Sequence, residues 1–440
     1  MLKKIQDDAF GGRSNGPSIA IIGGGPAGLS LARLLGERGL VNTTIFEALP
    51  QVGGKSYSVK YDDERVCEMG TCYATFSHRI TTRWMKELGI EMKKLGEQTF
   101  GGGELIDYVK GGDGKGLTQQ FLTYFREKKK LLKALEAPSP SAQTLDEAAM
   151  PIVDWLEARS LGKIVRFMQR STTNIAYGFL DELPTVQALR WNDMEMLLTG
   201  VLKQLKLPVS GWGPFWEDIA SSLTVHLNTR VVQIDRHATG VTIKTGHDET
   251  FEFDYVVCAI PIDDFAAMTD ASSEEHFVTQ SIAWNGYTTT MFVAENWFKD
   301  VAVEGFVASV LPNAERGQLL SARYEGYSKD FGGHIYLAGQ LSGDFTQPEL
   351  RELLIKGAAD RGAKVTNVIL QKMWKYHAQY APDAIRAGLI ERLRQLQGQN
   401  RTWYTGATFS HEAVSHIVNF NAELAQQMQV QLPQTMDTLS

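Results

Sequence analysis

The chain has 440 residues, of which 43% are hydrophobic and 22% charged, with a formal net charge of −7. This length suits two domains, and a negative charge without a Lys/Arg-rich patch argues against a nucleic-acid surface. No apolar run approaches the roughly 20 residues of a membrane span, and the 3 cysteines do not build a disulfide framework. Segment 1–16 is polar and lacks the apolar core of a secretory signal, so we expect a flexible N-terminus on a cytoplasmic protein.

The first predicted elements are a strand, a glycine-rich turn and a helix. Residues 18–22 form an apolar run typical of a buried parallel strand. Gly23, Gly25 and Gly28 follow as a G-x-G-x-x-G motif. Gly23 permits the tight turn, Gly25 lets a pyrophosphate approach the backbone, and Gly28 lets the helix pack closely on the strand. The helix N-terminus would then present free N–H groups to the phosphates.

The second strand, over 43–48, carries Glu47 near its end, 19 residues after Gly28. An acid at this place accepts hydrogen bonds from the adenosine ribose, and it disfavours a 2′-phosphorylated cofactor. The alternative is an ordinary strand–helix turn with an acidic strand end. Together with the glycine motif, Glu47 favours a dinucleotide-binding domain.

The middle of the chain is predicted to be helical. The apolar periodicity indicates helices over 78–89 and 117–137, and Thr144 with Glu147 forms a capping-box pattern before a helix ending near residue 160. Between them, the glycine-rich segment 101–116 is predicted to be a mobile hairpin or lid. Further helices are predicted over 161–177, 185–205 and 214–223.

The pattern changes to strands after residue 224. Short strands are predicted over 225–227, 230–234, 241–243, 251–253 and 255–260, and antiparallel strands over 288–293, 319–324 and 334–341. The remaining predicted elements are helices over 347–360 and 383–397, a strand over 402–406 and a helix over 414–429.

Two further motifs identify the family that the chain resembles. Gly53-Gly54-Lys55 follows Glu47, and Glu68-Met69-Gly70 comes next. With the glycine fingerprint, they resemble the flavin-containing amine oxidase superfamily. The resemblance implies an FAD cofactor and an α/β fold in which a Rossmann-like FAD-binding domain is interleaved with a substrate domain of helices plus an antiparallel sheet. It assigns 17–75, 221–263 and 398–430 to the FAD-binding domain, and 76–220 and 264–397 to the substrate domain.

The resemblance also implies individual cofactor contacts. Lys55 stands where the family usually has an Arg across the pyrophosphate, which keeps the charge but loses the two-pronged hydrogen bonding. Ala407 stands where many relatives have an acid that holds the ribityl chain. The last helix would direct its N-terminus at the flavin O2. The implied cofactor contacts are Gly23, Gly25, Pro26, Ala27, Gly28, Glu47, Gly53, Gly54, Lys55, Met69, Gly70, Thr71, Val232, Gly406, His416 and Ile417.

A narrower resemblance concerns the substrate. The stretch 174–191 is similar to the bacterial FAD-dependent polyunsaturated fatty acid double-bond isomerases. This implies a small hydrophobic substrate such as a fatty acid, from which hydride is removed and to which it returns two carbons away. Candidate substrate contacts are Ile175, Phe179 and Trp212 as cavity walls and Lys93 as a carboxylate partner. The alternative for the first three is plain core packing, and the alternative for Lys93 is a solvated helix end.

The catalytic candidates are His411, Glu412 and Tyr177. A His-Glu pair over the ring would favour proton transfer or a polar substrate, whereas a plain turn feeding the last helix is the alternative. No metal site is predicted, and the basic run 126–133 allows a peripheral membrane contact. Three functions are compatible with the sequence: a redox-neutral fatty acid isomerase, an oxidase or desaturase of an amine or unsaturated hydrocarbon, and a non-catalytic flavin-binding protein.

Overall fold

The computed structural model describes residues 16–112, 114–311 and 313–433, so the predicted flexible segment 1–16 lies, except for Gly16, outside the described residues. The strands of the described chain are β1 (Ile19–Ile22), β2 (Thr43–Phe46), β3 (Ser58–Tyr61), β4 (Arg65–Glu68), β5 (Met92–Lys94), β6 (Gln98–Phe100), β7 (Lys206–Pro208), β8 (Thr224–His226), β9 (Val231–His237), β10 (Gly240–Thr245), β11 (Thr250–Phe253), β12 (Tyr255–Cys258), β13 (Ile282–Trp284), β14 (Tyr287–Glu295), β15 (Val303–Gly305), β16 (Leu319–Ser328), β17 (Gly333–Leu341), β18 (Lys364–Trp374), β19 (Ala378–Tyr380) and β20 (Thr402–Tyr404).

The α-helices are α1 (Pro26–Gly36), α2 (Arg79–Glu87), α3 (Leu105–Lys110), α4 (Leu117–Leu135), α5 (Ala142–Ala149), α6 (Ile152–Glu157), α7 (Gly162–Ser171), α8 (Thr185–Trp191), α9 (Met194–Val201), α10 (Trp212–Ala220), α11 (Ile262–Ala266), α12 (Ser273–Gln280), α13 (Gln347–Ala359), α14 (Pro382–Arg386), α15 (Leu389–Gln395) and α16 (Val414–Gln431). Short 3-10 helices cover Thr173–Ile175, Val307–Val310 and Gln399–Arg401.

The first of the two larger sheets has five parallel strands in the order β20-β12-β1-β2-β8. All four residues of β1 are buried, as expected for a central parallel strand that is covered on both faces. The last helix, α16, packs along α1, and the Asn421 side chain donates to the Ala27 carbonyl and to the Ser30 hydroxyl, both at 2.8 Å. The sheet is therefore assembled from chain segments far apart in sequence.

A second, six-stranded sheet has the order β18-β14-β17-β16-β15-β6. Its long strands β14, β16, β17 and β18 pair antiparallel, whereas the short β6 joins β15 in parallel. Helix α13 packs against this sheet, and helices α3 to α9 lie in the chain between β6 and the return to the parallel sheet. The antiparallel sheet and the helical block match the predicted composition of the substrate domain, whose boundaries stay a prediction.

Several predicted helices are two shorter helices in the structure, which are separated at a proline or at a capping residue. The predicted capping box at Thr144 and Glu147 is wrong: Ser141 is the N-cap of α5, its side chain accepts the Thr144 N–H at 3.2 Å, and Pro151 separates α5 from α6. The predicted helix 185–205 divides at Asp193, whose carboxylate caps α9 through the Met196 N–H at 2.7 Å.

Two other predictions need correction. Segment 101–116 contains the helix α3, so it is not a simple hairpin. The predicted helix 383–397 is two helices, α14 and α15, because Gly388 adopts a left-handed conformation between them with φ of 86°. The strand β18 was not predicted, because its polar residues and irregular burial give no clean alternation.

Candidate active site

The turn between β1 and α1 is shaped by glycines that admit no side chain. A Cβ on Gly28 would lie 2.0 Å from the Gly23 carbonyl oxygen, and Gly23 itself has a φ of 112°. Gly25 is the N-cap of α1 and gives no side-chain cap, and Pro26 begins the helix, so the first N–H groups of α1 receive no side-chain acceptor. Such an uncapped helix N-terminus behind a glycine turn suits a phosphate group.

Glu47 lies beside this turn, immediately after β2. Its carboxylate accepts the Gly24 N–H at 2.7 Å and the Leu49 N–H at 2.9 Å. These two bonds fix the carboxylate at the edge of the glycine turn, where the sequence places the ribose-binding acid. The position of Glu47 is therefore compatible with its predicted role.

The second glycine motif packs directly on the first. The Gly53 N–H donates to the Gly24 carbonyl at 2.9 Å, and a Cβ on Gly54 would come within 3.1 Å of the Gly25 Cα. A Cβ on Gly70 would lie 1.8 Å from the Lys55 carbonyl oxygen. The predicted cofactor motifs thus meet in one place through backbone contacts that only glycine permits.

The Glu68 side chain connects the strand β3 to the start of the helix α10 through hydrogen bonds. The buried carboxylate accepts the Trp212 N–H at 2.8 Å and the Ser58 hydroxyl at 2.9 Å. Burial raises the pKa of Glu68 to about 7, while these hydrogen bonds oppose that effect. Trp212 itself is fully buried with Phe215 and Trp216 in the core around α1, so it does not form a substrate wall.

An open chamber of about 750 Å³ lies between these motifs and the antiparallel sheet. Its walls are mostly aromatic and apolar. The residues that line it are Lys55, Gly70, Thr71, Cys72, Tyr73, Thr75, His78, Ile175, Tyr177, Trp191, Tyr287, Trp374, Tyr376, Glu412, Ala413 and Val414.

Two lining residues of the chamber, Lys55 and Glu412, form an ion pair with each other. The Lys55 ammonium also donates to the Lys375 carbonyl at 2.8 Å and lies 5.5 Å from the centre of the Tyr376 ring. The other Glu412 oxygen accepts the backbone N–H of His377 at 2.7 Å. Both charges are therefore compensated within the wall.

The remaining titratable groups of the chamber wall are kept neutral by burial. Burial raises the pKa of the Tyr177, Tyr287 and Tyr376 phenols and lowers the pKa of His78 to about 3. Burial likewise raises the pKa of the Cys72 thiol. Apart from the Lys55–Glu412 pair, the chamber presents uncharged groups.

His411 lies behind this wall. Its ring is stacked on Trp191 at 5.5 Å and meets the Tyr177 ring edge-on at 4.8 Å. Burial lowers the pKa of His411 well below its usual value, so the imidazole is neutral. Of the three predicted catalytic residues, Tyr177 and Glu412 line the chamber, whereas His411 supports two of its aromatic walls.

Some of the predicted substrate residues line the chamber, and others lie elsewhere in the structure. Ile175 lines the chamber. Phe179 instead packs with Phe100 and Leu341 in a separate core cluster, because its ring faces the antiparallel sheet. Lys93 is exposed on β5, away from the chamber wall.

The structure also shows the positions of four other residues that were predicted to contact the cofactor, Val232, Gly406, His416 and Ile417. Val232 lies on β9 with 49% of its surface exposed. Gly406 follows β20 with a φ of 93°, and its Cβ would be 3.8 Å from that of Ala27. His416 and Ile417 lie in the first turn of α16, where the His416 ring is 3.1 Å from the Arg190 carbonyl oxygen.

Several residues that line the chamber were not predicted from the sequence. Trp374 and Tyr376 lie at and just beyond the end of the unpredicted strand β18, and Tyr287 begins β14. Tyr73 and Cys72 directly follow the predicted Thr71, so the local motif could have indicated them. No sequence signal was available for the β18 residues.

The fold and the site together define a dinucleotide-dependent oxidoreductase architecture, and comparison with known proteins gives the family. Residues 26–293 match the family described as flavin containing amine oxidoreductase. The chain therefore belongs to the flavin-containing amine oxidoreductase family, and its cofactor is FAD. The predictions of the family and of the cofactor are confirmed.

Curated relatives and solved structures are similar over different extents. The chain is 28% identical over 272 residues to flavin-containing amine oxidase B of Sus scrofa, covering 55% of this chain and 50% of the relative. It is 37% identical over 93 residues to amine oxidase A of the same species, covering 21% and 17%. The chain thus spans about half the length of the curated relatives it matches over the longer alignments.

Among solved structures, a CLA-producing fatty acid isomerase from P. acnes superposes with a TM-score of 0.81 at 22% identity, covering 93% of this chain and 98% of the other. Cyclohexylamine oxidase from Brevibacterium oxydans superposes with a TM-score of 0.66 at 14% identity, covering 94% and 100%. These likenesses confirm the predicted fold class. No helix of the described chain is long and apolar enough to cross a bilayer.

The residues present fit FAD. At Gly25, the N-cap of α1, the backbone is open to a ligand, because the nearest atom to a Gly25 Cβ would be the Gly54 Cα at 3.8 Å. The uncapped N-terminus of α1 suits the pyrophosphate, and Glu47 suits the ribose. When bound, FAD would supply a hydride acceptor and donor.

Proposed function

We propose that this protein is an FAD-dependent isomerase that moves a double bond in a polyunsaturated fatty acid without net oxidation. One observation carries the proposal: the chamber wall is aromatic and neutral, and its Lys55 and Glu412 charges cancel each other. A wall of this kind suits an uncharged hydrocarbon segment. A free carboxylate, which would favour an ammonium substrate, is absent from the described chamber lining.

The chain's own residues would bind and orient the diene. Tyr177, Trp191 and Tyr376 supply flat apolar surfaces, and Ile175 adds an aliphatic contact. Holding the doubly allylic carbon in one orientation is the main contribution that a protein can make to hydride removal and return. A substrate that fills these apolar walls would displace water from around the charge-deficient carbon, so that hydroxide does not capture it.

The phenols and imidazoles take no part in proton transfer in this proposal. Burial keeps the Tyr177 phenol protonated and the His411 imidazole neutral. Glu412 is occupied by Lys55 and by the His377 N–H. A hydride that leaves one carbon and returns to another needs neither an external acid nor a base, which agrees with this wall.

The proposal is supported by similarity to the fatty acid isomerase from P. acnes, whose fold covers nearly the whole chain. The family itself favours a second candidate, an oxidase or desaturase that passes electrons from an amine or unsaturated hydrocarbon to an acceptor. The two candidates differ in whether the substrate leaves the flavin reduced.

The test is an anaerobic incubation of the FAD-loaded protein with linoleic acid, recording flavin absorbance and conjugated-diene absorbance together. Stearic acid, which lacks double bonds, is the control. Diene formation over many turnovers without an acceptor supports the isomerase. Lasting flavin bleaching without a diene identifies an oxidase or desaturase, and no change in either signal rejects the fatty acid substrate.

A further inference from the structure

A second cavity of about 1300 Å³ opens beside the chamber, and Tyr73 lines both. We call this cavity the side pocket. It lies among α3, α4, α7, α9 and the β6 edge, and apolar side chains supply most of its walls. Among these side chains are Leu105, Val109, Phe121, Phe167, Met196 and Leu197. Its shape and lining suit an apolar chain.

Two cations line this cavity, the exposed Lys203 and the half-buried Arg170. Arg170, near the end of α7, lines the side pocket, and its guanidinium donates to the Gln98 side chain at 3.1 Å. Burial lowers the pKa of Arg170. Within the described ranges, no carboxylate forms an ion pair with it. A guanidinium in apolar surroundings is costly unless an anion accepts its hydrogen bonds.

The charge of Glu304 partly offsets the effect of burial on the Arg170 pKa, but the Glu304 carboxylate accepts hydrogen bonds from the Thr99 hydroxyl and the Gly102 N–H. The acids that line the side pocket itself do not pair with Arg170. Glu97 and Glu104 also line the cavity, but both are exposed at its mouth. Glu104 pairs with Lys203 at 3.1 Å. Arg170 therefore remains the inner cation of an apolar pocket that shares a wall with the chamber.

We propose that the side pocket binds the carboxylate end of a long-chain fatty acid, with Arg170 holding the carboxylate and the chain passing Tyr73 into the chamber. A guanidinium presents its donors as a planar fork that matches both carboxylate oxygens. That the ligand is a fatty acid rests on the proposed function. That the pocket binds an anion rests on Arg170 and the residues around it.

The test uses ligands that cannot react. Binding of dodecanoate and of dodecanol to the FAD-loaded protein is measured by titration calorimetry, because the two differ only in the charged group. We expect the wild type to prefer dodecanoate. We expect Arg170→Gln to weaken dodecanoate at least tenfold and dodecanol less than twofold, and Arg170→Lys to restore part of the preference.

Two further variants complete the design. Arg166→Gln removes an exposed guanidinium one turn earlier on α7 and should leave both affinities unchanged. Gly200→Phe fills the side pocket, since no heavy atom lies within 4 Å of the place for a Gly200 Cβ, and it should weaken both ligands at least tenfold. Unchanged dodecanoate binding by Arg170→Gln or by Gly200→Phe overturns the proposal. So does a wild type that binds the acid no better than the alcohol.

These outcomes are separate from those of the proposed reaction. Arg170-dependent binding of dodecanoate with no diene from linoleic acid keeps the side pocket and rejects the isomerase. Diene formation by Arg170→Gln with an unchanged KM for linoleic acid rejects the side pocket and keeps the isomerase. Flavin content and Tm of each variant show whether it is folded.

Discussion

Lys55 and Glu412 come from opposite ends of the chain and form an ion pair in the wall of the chamber. The Glu412 side chain is only 3% exposed, whereas that of Lys55 is 34% exposed. The resemblance of the sequence motifs predicts Lys55 at the place where the family usually has an arginine across the pyrophosphate. In the structure its ammonium neutralises the Glu412 carboxylate, so we expect Lys55 to determine which charges the chamber accepts.

Replacing Lys55 by Gln should therefore leave a buried, uncompensated carboxylate. We expect the free energy of unfolding to fall by about 2 kcal/mol, between the values for exposed and buried pairs. We also expect affinity for a cationic amine such as benzylamine to rise about tenfold, because Glu412 then faces the chamber alone. Chemical denaturation and flavin-monitored titration measure the two effects. The double variant Lys55→Gln/Glu412→Gln should lose the amine affinity, and if it retains that affinity, Glu412 is not its source.

Gly28→Ala should abolish FAD binding. The added methyl group would lie 2.0 Å from the Gly23 carbonyl oxygen, so the turn or α1 has to move. Gly36→Ala is the matched control, because it lies in the same helix with no heavy atom within 4 Å of its Cβ position, and it should stabilise the fold by about 0.5–1 kcal/mol. Flavin absorbance after purification and Tm distinguish the variants. A Gly28→Ala protein with full flavin content contradicts the assignment of this turn.

Glu68 should give the fold a characteristic pH dependence. Burial raises its pKa to about 7 from an ordinary value of 4.5, so the folded state binds more protons than the unfolded state between these pH values. The Glu68 contribution to stability is thus present below about pH 4.5 and is lost as pH rises to about 7. Glu68→Gln keeps an acceptor for the Trp212 N–H. Urea denaturation across this range should show a smaller decline for the variant, and identical slopes would exclude Glu68.

Tyr177→Phe should retain activity within about threefold. Its phenol is protonated and packs against His377 and His411, and hydride removal and return need no proton from it. General acid or base catalysis by Tyr177 would instead make the loss of kcat about 10²- to 10⁴-fold. Tyr177→Ala, which removes the wall, should reduce kcat/KM strongly in either case. Steady-state diene formation gives these constants.

The cofactor half of the site could be predicted because glycine spacing is a local property. Contacts within or between short motifs require glycine at Gly23, Gly28 and Gly70. These motifs can be recognised directly in the sequence. The chamber could not be predicted to the same extent. Trp374 and Tyr376 reach it from the strand β18 and the residues after it, and β18 has a polar pattern without regular alternation.

The substrate residues show the same limit. Phe179 and Trp212 have the aromatic character of a cavity wall, yet they are buried in two different cores. Composition cannot distinguish the two cases, since both environments select apolar side chains. Arg170 was not predicted either, because an arginine near a helix end usually signals only solvent exposure, and its pocket forms only when α3, α4, α7 and α9 pack together.

The contact between Asn421 and Ala27 also concerns how the protein is made. β20 and α16, which complete the parallel sheet and cover α1, are synthesised after all the other described elements. A growing chain that has already formed β1 and α1 still lacks this cover, so its glycine turn stays open during synthesis. We therefore expect FAD to be acquired only after β20 and α16 have been synthesised. We further expect ribosome-bound chains that end before residue 402 to capture no flavin.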